Sequence, residues 1–76
     1  MPPKPLILRS ETITLDALLK ASGLAGSGGE AKVLIAEGGV WVNGELELRR
    51  GRKLRAGDEV AVGSSRVRVM AAAAPR

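Results

Sequence analysis

The sequence predicts an α+β domain in which a two-helix hairpin packs on one side of a small, mostly antiparallel sheet. Three observations lead there. Leu15, Leu18 and Leu19 have the i, i+3, i+4 spacing of one helix face. After Gly39 the apolar period changes to two, in Val40/Val42, Val60/Val62 and Val67/Val69. Asn43-Gly44 lies among those alternating residues, and both tolerate the positive φ of a two-residue hairpin turn.

In chain order, Pro2, Pro3 and Pro5 give an irregular start, followed by a short strand over Leu6, Ile7 and Leu8. Thr12 to Thr14 extends that end. Pro5 lacks a donor, so this strand begins or edges a sheet. Helix one is expected over Leu15 to Ser22, with Thr14 as N-cap and Asp16 favourable in the first turn. Gly23 falls where a left-handed cap ends it, and Leu24 packs back onto the helix. A Gly-rich connection, Ala25 to Gly29, follows. Ser27 and Glu30 have the Ser-x-x-Glu form of a capping box for helix two, over about Gly28 to Glu37. Ala31, Leu34 and Ile35 face inward, Lys32 lies largely outside that face, and Gly38-Gly39 stops the helix. Val40 and Val42 then point one way and Trp41 the other. Leu46 and Leu48 continue the alternation on the returning strand, and Arg49 to Lys53 form a basic loop around Gly51. Leu54 returns to the core, Ala56-Gly57-Asp58 turns, and two further strands follow around Gly63-Ser64-Ser65.

These elements make one domain over residues 1–70, with 71–76 as a flexible tail. A domain of 76 residues buries only about 60% of its unfolded surface, so its stability is modest. The core is aliphatic, because Trp41 is the sole aromatic residue. Cysteine and histidine are absent, which removes disulfides, zinc sites, Cys nucleophiles and His acid–base chemistry. No carboxylate pair or calcium-type Asp spacing is evident, and Gly26 to Gly29 lacks the Gly-Lys-Ser/Thr ending of a nucleotide-hydrolase loop. A non-catalytic protein without metal or cofactor is expected. No apolar run approaches a membrane span, and no secretory signal is visible, so a cytoplasmic protein is expected.

Charge is the strongest functional signal. Residues 1–43 are balanced, and residues 44–76 hold the entire net +4. Arg49, Arg50, Arg52, Lys53 and Arg55 fall within seven positions. Such a cluster favours a polyanion, since guanidinium forks match phosphate oxygens. A solvated loop kept basic for solubility is the plain alternative. Arg66 and Arg68 share a strand face and read as a charged edge that resists pairing. Two readings of Trp41 stand. It stacks on an unpaired base, or the strand around Leu6 to Leu8 covers it; the cost of leaving an indole bare favours cover. Lys32 lies near the start of helix two, where free N–H groups attract phosphate, although Ser27 and Glu30 satisfy those donors if they form an ordinary cap. Asn43 and Gly44 are read as turn chemistry alone.

The segment Ser27-Gly28-Gly29-Glu30-Ala31-Lys32, then Leu34-Ile35, then Glu37-Gly38-Gly39-Val40-Trp41-Val42-Asn43-Gly44, resembles the alpha-L RNA-binding motif. This is the domain named for small-subunit ribosomal protein S-four. The basic stretch Arg49 to Arg55 and the Gly57-Asp58 turn before a strand complete the pattern, over about residues 13 to 69. The resemblance implies a small stand-alone member that binds structured RNA, ribosomal RNA or tRNA; a monomer is expected. It points to Ser27, Lys32, Arg49, Arg50, Arg52 and Lys53 as RNA contacts, and the charge cluster adds Arg55. Many members carry Arg or Lys right after the Ser that opens the second helix; Gly28, Gly29 and acidic Glu30 stand here instead, which shifts weight onto the basic loop. The rival expectation is a protein adaptor that uses the basic loop and the Trp41 surface.

Overall fold

The computed structural model describes residues 3–71. The element order is β1 (Lys4–Ile7), β2 (Ile13–Thr14), α1 (Leu15–Ala21), α2 (Gly28–Ala36), β3 (Trp41–Val42), β4 (Glu45–Leu46), β5 (Lys53–Leu54), β6 (Glu59–Val62) and β7 (Ser65–Met70). The main sheet has the order β1-β7-β6-β3-β4 and is antiparallel except where β1 runs parallel to β7. The predicted α+β class and helical hairpin are present. Residues 72–76, most of the expected tail, lie outside the described residues.

One face of the main sheet is covered. Val40, Val42, Val60, Val67 and Val69 pack there against Leu15, Leu18, Leu19, Ala31 and Ile35. The largest fully buried side chains are all Leu, Ile or Val, as the composition requires. Truncating one of these leucines to alanine costs about 2–5 kcal/mol, a large share of a small domain's stability.

The expected single N-terminal strand divides in two. Its first part is β1, an edge strand that tolerates Pro5. Thr14 belongs to β2, which pairs with β5 in a separate two-stranded sheet (Ile13↔Leu54, Thr14↔Lys53). That pairing spans about forty residues of chain, so local pattern alone does not reveal it.

Helix ends follow the chemistry with two corrections. Gly23 and Gly38 have φ of 81° and 82°, the left-handed geometry expected past a helix end. Ser27 Oγ accepts from the Glu30 N–H at 3.1 Å, but the Glu30 carboxylate accepts from the Gly26 N–H, one residue before the cap. Thr14 occupies the N-cap of α1 without a side-chain bond. Backbone carbonyls do that work: Leu15 N–H donates to Arg52 O (2.9 Å) and Asp16 N–H to Arg50 O (3.1 Å).

The hairpin turn is Asn43 (φ 52°) and Gly44 (φ 83°), joining Val42 to Glu45 across the ladder. Asn43 does more than turn. Its Nδ2 donates to Asp58 Oδ1 (3.0 Å), and its Oδ1 accepts from the Glu59 N–H (2.9 Å). Asp58 Oδ2 also accepts from the Arg55 N–H (2.8 Å). The hairpin tip is thereby tied to the Gly-Asp turn. Replacing Asn43 with alanine removes both links and places a Cβ-bearing residue without a local polar partner at positive φ. We expect Asn43→Ala to lower unfolding free energy by about 1–2 kcal/mol, read by urea denaturation; an unchanged midpoint would show the ties to be idle.

Candidate nucleic-acid interface

The chain from Glu47 to Asp58 carries five cations and two carboxylates, a local net charge of +3. Its shape is set by Glu47. The two-residue turn pairs Trp41 with Leu46, so Glu47 lies opposite Val40, and its N–H donates to Val40 O at 3.0 Å. Glu47 therefore shares the valine face and is only 6% exposed. Leu46 and Leu48 are 46% and 59% exposed. They alternate with Glu47, on the other face of the strand.

A buried carboxylate needs donors, and the loop supplies them. Arg49 donates to Glu47 Oε2 from its backbone N–H (3.0 Å) and from Nε (3.1 Å). Arg52 donates from a terminal nitrogen to Oε1 at 2.8 Å. Hydrogen bonds from Arg49, then from Arg52, hold the Glu47 carboxyl down at about 2, against the opposing effect of burial. The same contact raises the Arg49 guanidinium. Side-chain exposure is 75% for Arg49 and 30% for Arg52. Both keep positive charge at the surface, and Arg49's pairing mainly fixes direction rather than adding stability.

Arg50, Lys53 and Arg55 are exposed. Among the described residues, none of the three forms an ion pair with a carboxylate. The carbonyls of Arg50 and Arg52 bond the start of α1, so the backbone of the basic loop is docked on a helix end while its side chains stay out. Burial pushes the Asp58 carboxyl up; the Arg55 N–H, Asn43 and the nearby Arg52 and Arg55 charges outweigh it, leaving Asp58 below its ordinary range.

The structure brings Arg49, Arg50, Arg52, Lys53 and Arg55 together in one segment. Ser27 and Lys32 belong to the second helix instead, Ser27 as its N-cap and Lys32 within it. At about 100° per residue, the exposed flanks of α2 differ. Lys32 and Gly28 share one flank, where a Cβ on Gly28 would lie 3.8 Å from Lys20 Cδ. Ser27, Gly29, Glu30, Val33, Leu34 and Glu37 line an open, largely apolar groove of about 430 Å³ on the other. The Ser27 hydroxyl is engaged as a cap. Trp41 is not covered as expected: β1 lies beside β7, at the opposite edge from β3 and β4, and the indole is 44% exposed. Glu47 was missed as an organiser. The signal was available, because a two-residue Asn-Gly turn forces Leu46 onto the face of Trp41.

The sequence pattern of the S4 domain matches residues 6–70. The chain belongs to the S4 domain family. Among S4 domain relatives, "Probable ribosome maturation protein RlbA" of Bacillus subtilis is 45% identical over 58 residues, covering 76% of this chain and 82% of its own. "Putative RNA-binding protein YbcJ" of Escherichia coli is 42% identical over 59 residues, covering 78% and 84%. Family membership agrees with the motif resemblance and with the helical hairpin followed by a basic loop.

The Glu47 linkage has a definite sign. Its folded pKa, about 2, lies below the ordinary 4.5, so its stabilisation is present above pH 4.5 and is lost as pH falls toward 2. Glu47→Gln is expected to unfold more easily at neutral pH by about 2 kcal/mol. The gap to the native protein should narrow steadily through that acid window in denaturation curves. A gap independent of pH would sink the ionic account.

Proposed function

We propose that this S4 domain binds structured RNA, ribosomal RNA or tRNA, without changing it chemically. One observation carries the reading most. Arg50, Lys53 and Arg55 stand exposed and, among the described residues, free of carboxylate ion pairs, on a loop whose backbone is pinned to α1. A fixed backbone with unspent cations is preorganised for phosphate, and arginine adds bidentate geometry. Arg49 and Arg52 remain net contributors, held in direction by Glu47. Lys32 extends the positive surface along its own flank of α2. Ser27 acts as a helix cap and supports the start of α2 indirectly.

The names of two relatives, one describing RNA binding and the other ribosome maturation, support the same reading. Contacts are chiefly to phosphate and to helix shape, because base-stacking aromatics are nearly absent from the chain. Catalysis belongs to other proteins in this reading, which is of a cytoplasmic monomer. No helix among the described residues is long and apolar enough to cross a membrane.

The test is a fluorescence-anisotropy titration of a labelled RNA hairpin, with duplex DNA at matched ionic strength as comparison. The native protein should prefer RNA and lose affinity with salt, with a slope of roughly −3 to −4 if about four phosphates are neutralised. Arg50→Ala/Lys53→Ala should weaken binding at least tenfold and flatten the slope by roughly 1–2. Native affinity for the double variant, or no RNA binding by the native chain at low salt, would turn attention to an acidic protein as the loop's partner.

A further inference from the structure

The second helix is apolar on two sides. Ala31 and Ile35 are buried in the core, while Val33 and Leu34 line the groove on the outer side. Val33 is exposed and Leu34 half-buried. Leu34 rests on Gly39, where an added Cβ would come 3.0 Å from Leu34 Cδ1. Packing on the sheet accounts for Ala31 and Ile35, and gives Val33 no role. The apolar surface continues past the helix end. A Cβ on Gly38 would stand 3.9 Å from Leu46 Cδ1, and Leu46 is itself exposed.

Glu30 and Glu37 border this groove. They are seven residues apart, so they share one side of α2, two turns or roughly 10 Å apart along its axis. The Glu30 carboxylate is held in place by the Gly26 N–H. Among the described residues, neither glutamate forms an ion pair. Lys32, the sole cation of α2, lies on the other flank, so the helix itself contributes no positive charge to this side.

We propose that the groove docks a segment of a partner protein whose apolar side chains are flanked by lysine or arginine. Charge selects this occupant. Two carboxylates without a cation beside them on the helix repel phosphate, which disfavours RNA here. A second copy laid face to face would oppose four like charges. A small molecule needs most of its surface enclosed, and this groove is open along its length. A basic amphipathic helix meets every requirement. Its apolar side chains cover Val33 and Leu34, and cations seven residues apart reach Glu30 and Glu37. The proposal stands apart from the RNA-binding reading, since it uses the side of α2 away from Lys32 and none of the basic loop.

The test is an amide NMR titration of the labelled protein with a synthetic helical peptide of leucine, alanine and lysine. A second peptide carries glutamate in place of each lysine. The lysine peptide should shift Glu30, Val33, Leu34 and Glu37, bind roughly tenfold tighter than the glutamate peptide, and weaken with salt. Glu30→Gln/Glu37→Gln keeps an acceptor for the Gly26 N–H and should weaken the lysine peptide roughly fivefold. Val33→Ser, at an exposed position, should weaken it as well. Arg50→Ala/Lys53→Ala should leave peptide binding intact, so failure of the RNA reading and failure of this one are separate results. Equal binding of the two peptides, native affinity in the glutamine double variant, or shifts that fall elsewhere overturn the proposal. Weaker RNA binding by the glutamine double variant would assign this flank to RNA instead. Concentration-dependent shifts of the groove residues without peptide would assign it to a second copy. Either result also overturns it.

Discussion

A buried carboxylate organises the functional half of this molecule. Burial disfavours the ionised form of a carboxylate, and Glu47, on the valine face of the sheet, is 6% exposed. The cost is offset only because Arg49 and Arg52 fold back onto it. That return curls the loop, and the curl presents the Arg50 and Arg52 carbonyls to the open N–H groups of α1. Sheet, loop and helix start are therefore one mechanical unit. Local repulsion among five neighbouring cations would otherwise spread this segment; one interior anion makes their concentration tolerable.

The same unit explains how a basic loop becomes a surface rather than a tether. Long cationic side chains lose rotamer entropy on meeting phosphate. Arg49 and Arg52 have surrendered part of that freedom in advance, in pairing with Glu47. Arg50, Lys53 and Arg55 retain theirs but start from a fixed backbone. The helical hairpin contributes unevenly. Where positively charged residues would reinforce both flanks of α2, this chain has Gly28, Gly29 and Glu30, and the Glu30 side with Val33 and Leu34 is largely apolar. The Lys32 cation and the Glu30 carboxylate thus lie on different flanks of the helix, so its charge is uneven.

Much of the fold was legible in the sequence because local rules and tertiary structure agree. The leucine spacing of α1, the glycine stops at Gly23 and Gly38, and the Asn43-Gly44 turn each have a single good backbone solution. Three features escaped, each for a physical reason. Pairing of β2 with β5 joins residues far apart in sequence, with no periodic signature in so short a strand. Thr14 reads as a cap, but carbonyls from a distant loop reach the helix start first. Glu47 gives no sign of its role from composition; hairpin register turns it inward and the leucines on either side of it outward, and burial preference lost to geometry. At the candidate interface, the charged cluster was visible by composition. What composition does not carry is which cations are engaged and which stand free of ion pairs.

The parallel pairing of β1 with β7 also shapes how the molecule is made. Lys4 to Ile7 find their partners only at Val67 to Met70, so the earliest strand of the sheet waits for the latest. Contacts of such long sequence separation slow folding, since loop closure must precede the reward of the ladder. The α1–α2 hairpin and the Asn43 hairpin close short stretches of chain, at a smaller entropic cost. The edge strand is the structural counterpart of a latch: it completes the sheet only by reaching the other end of the chain.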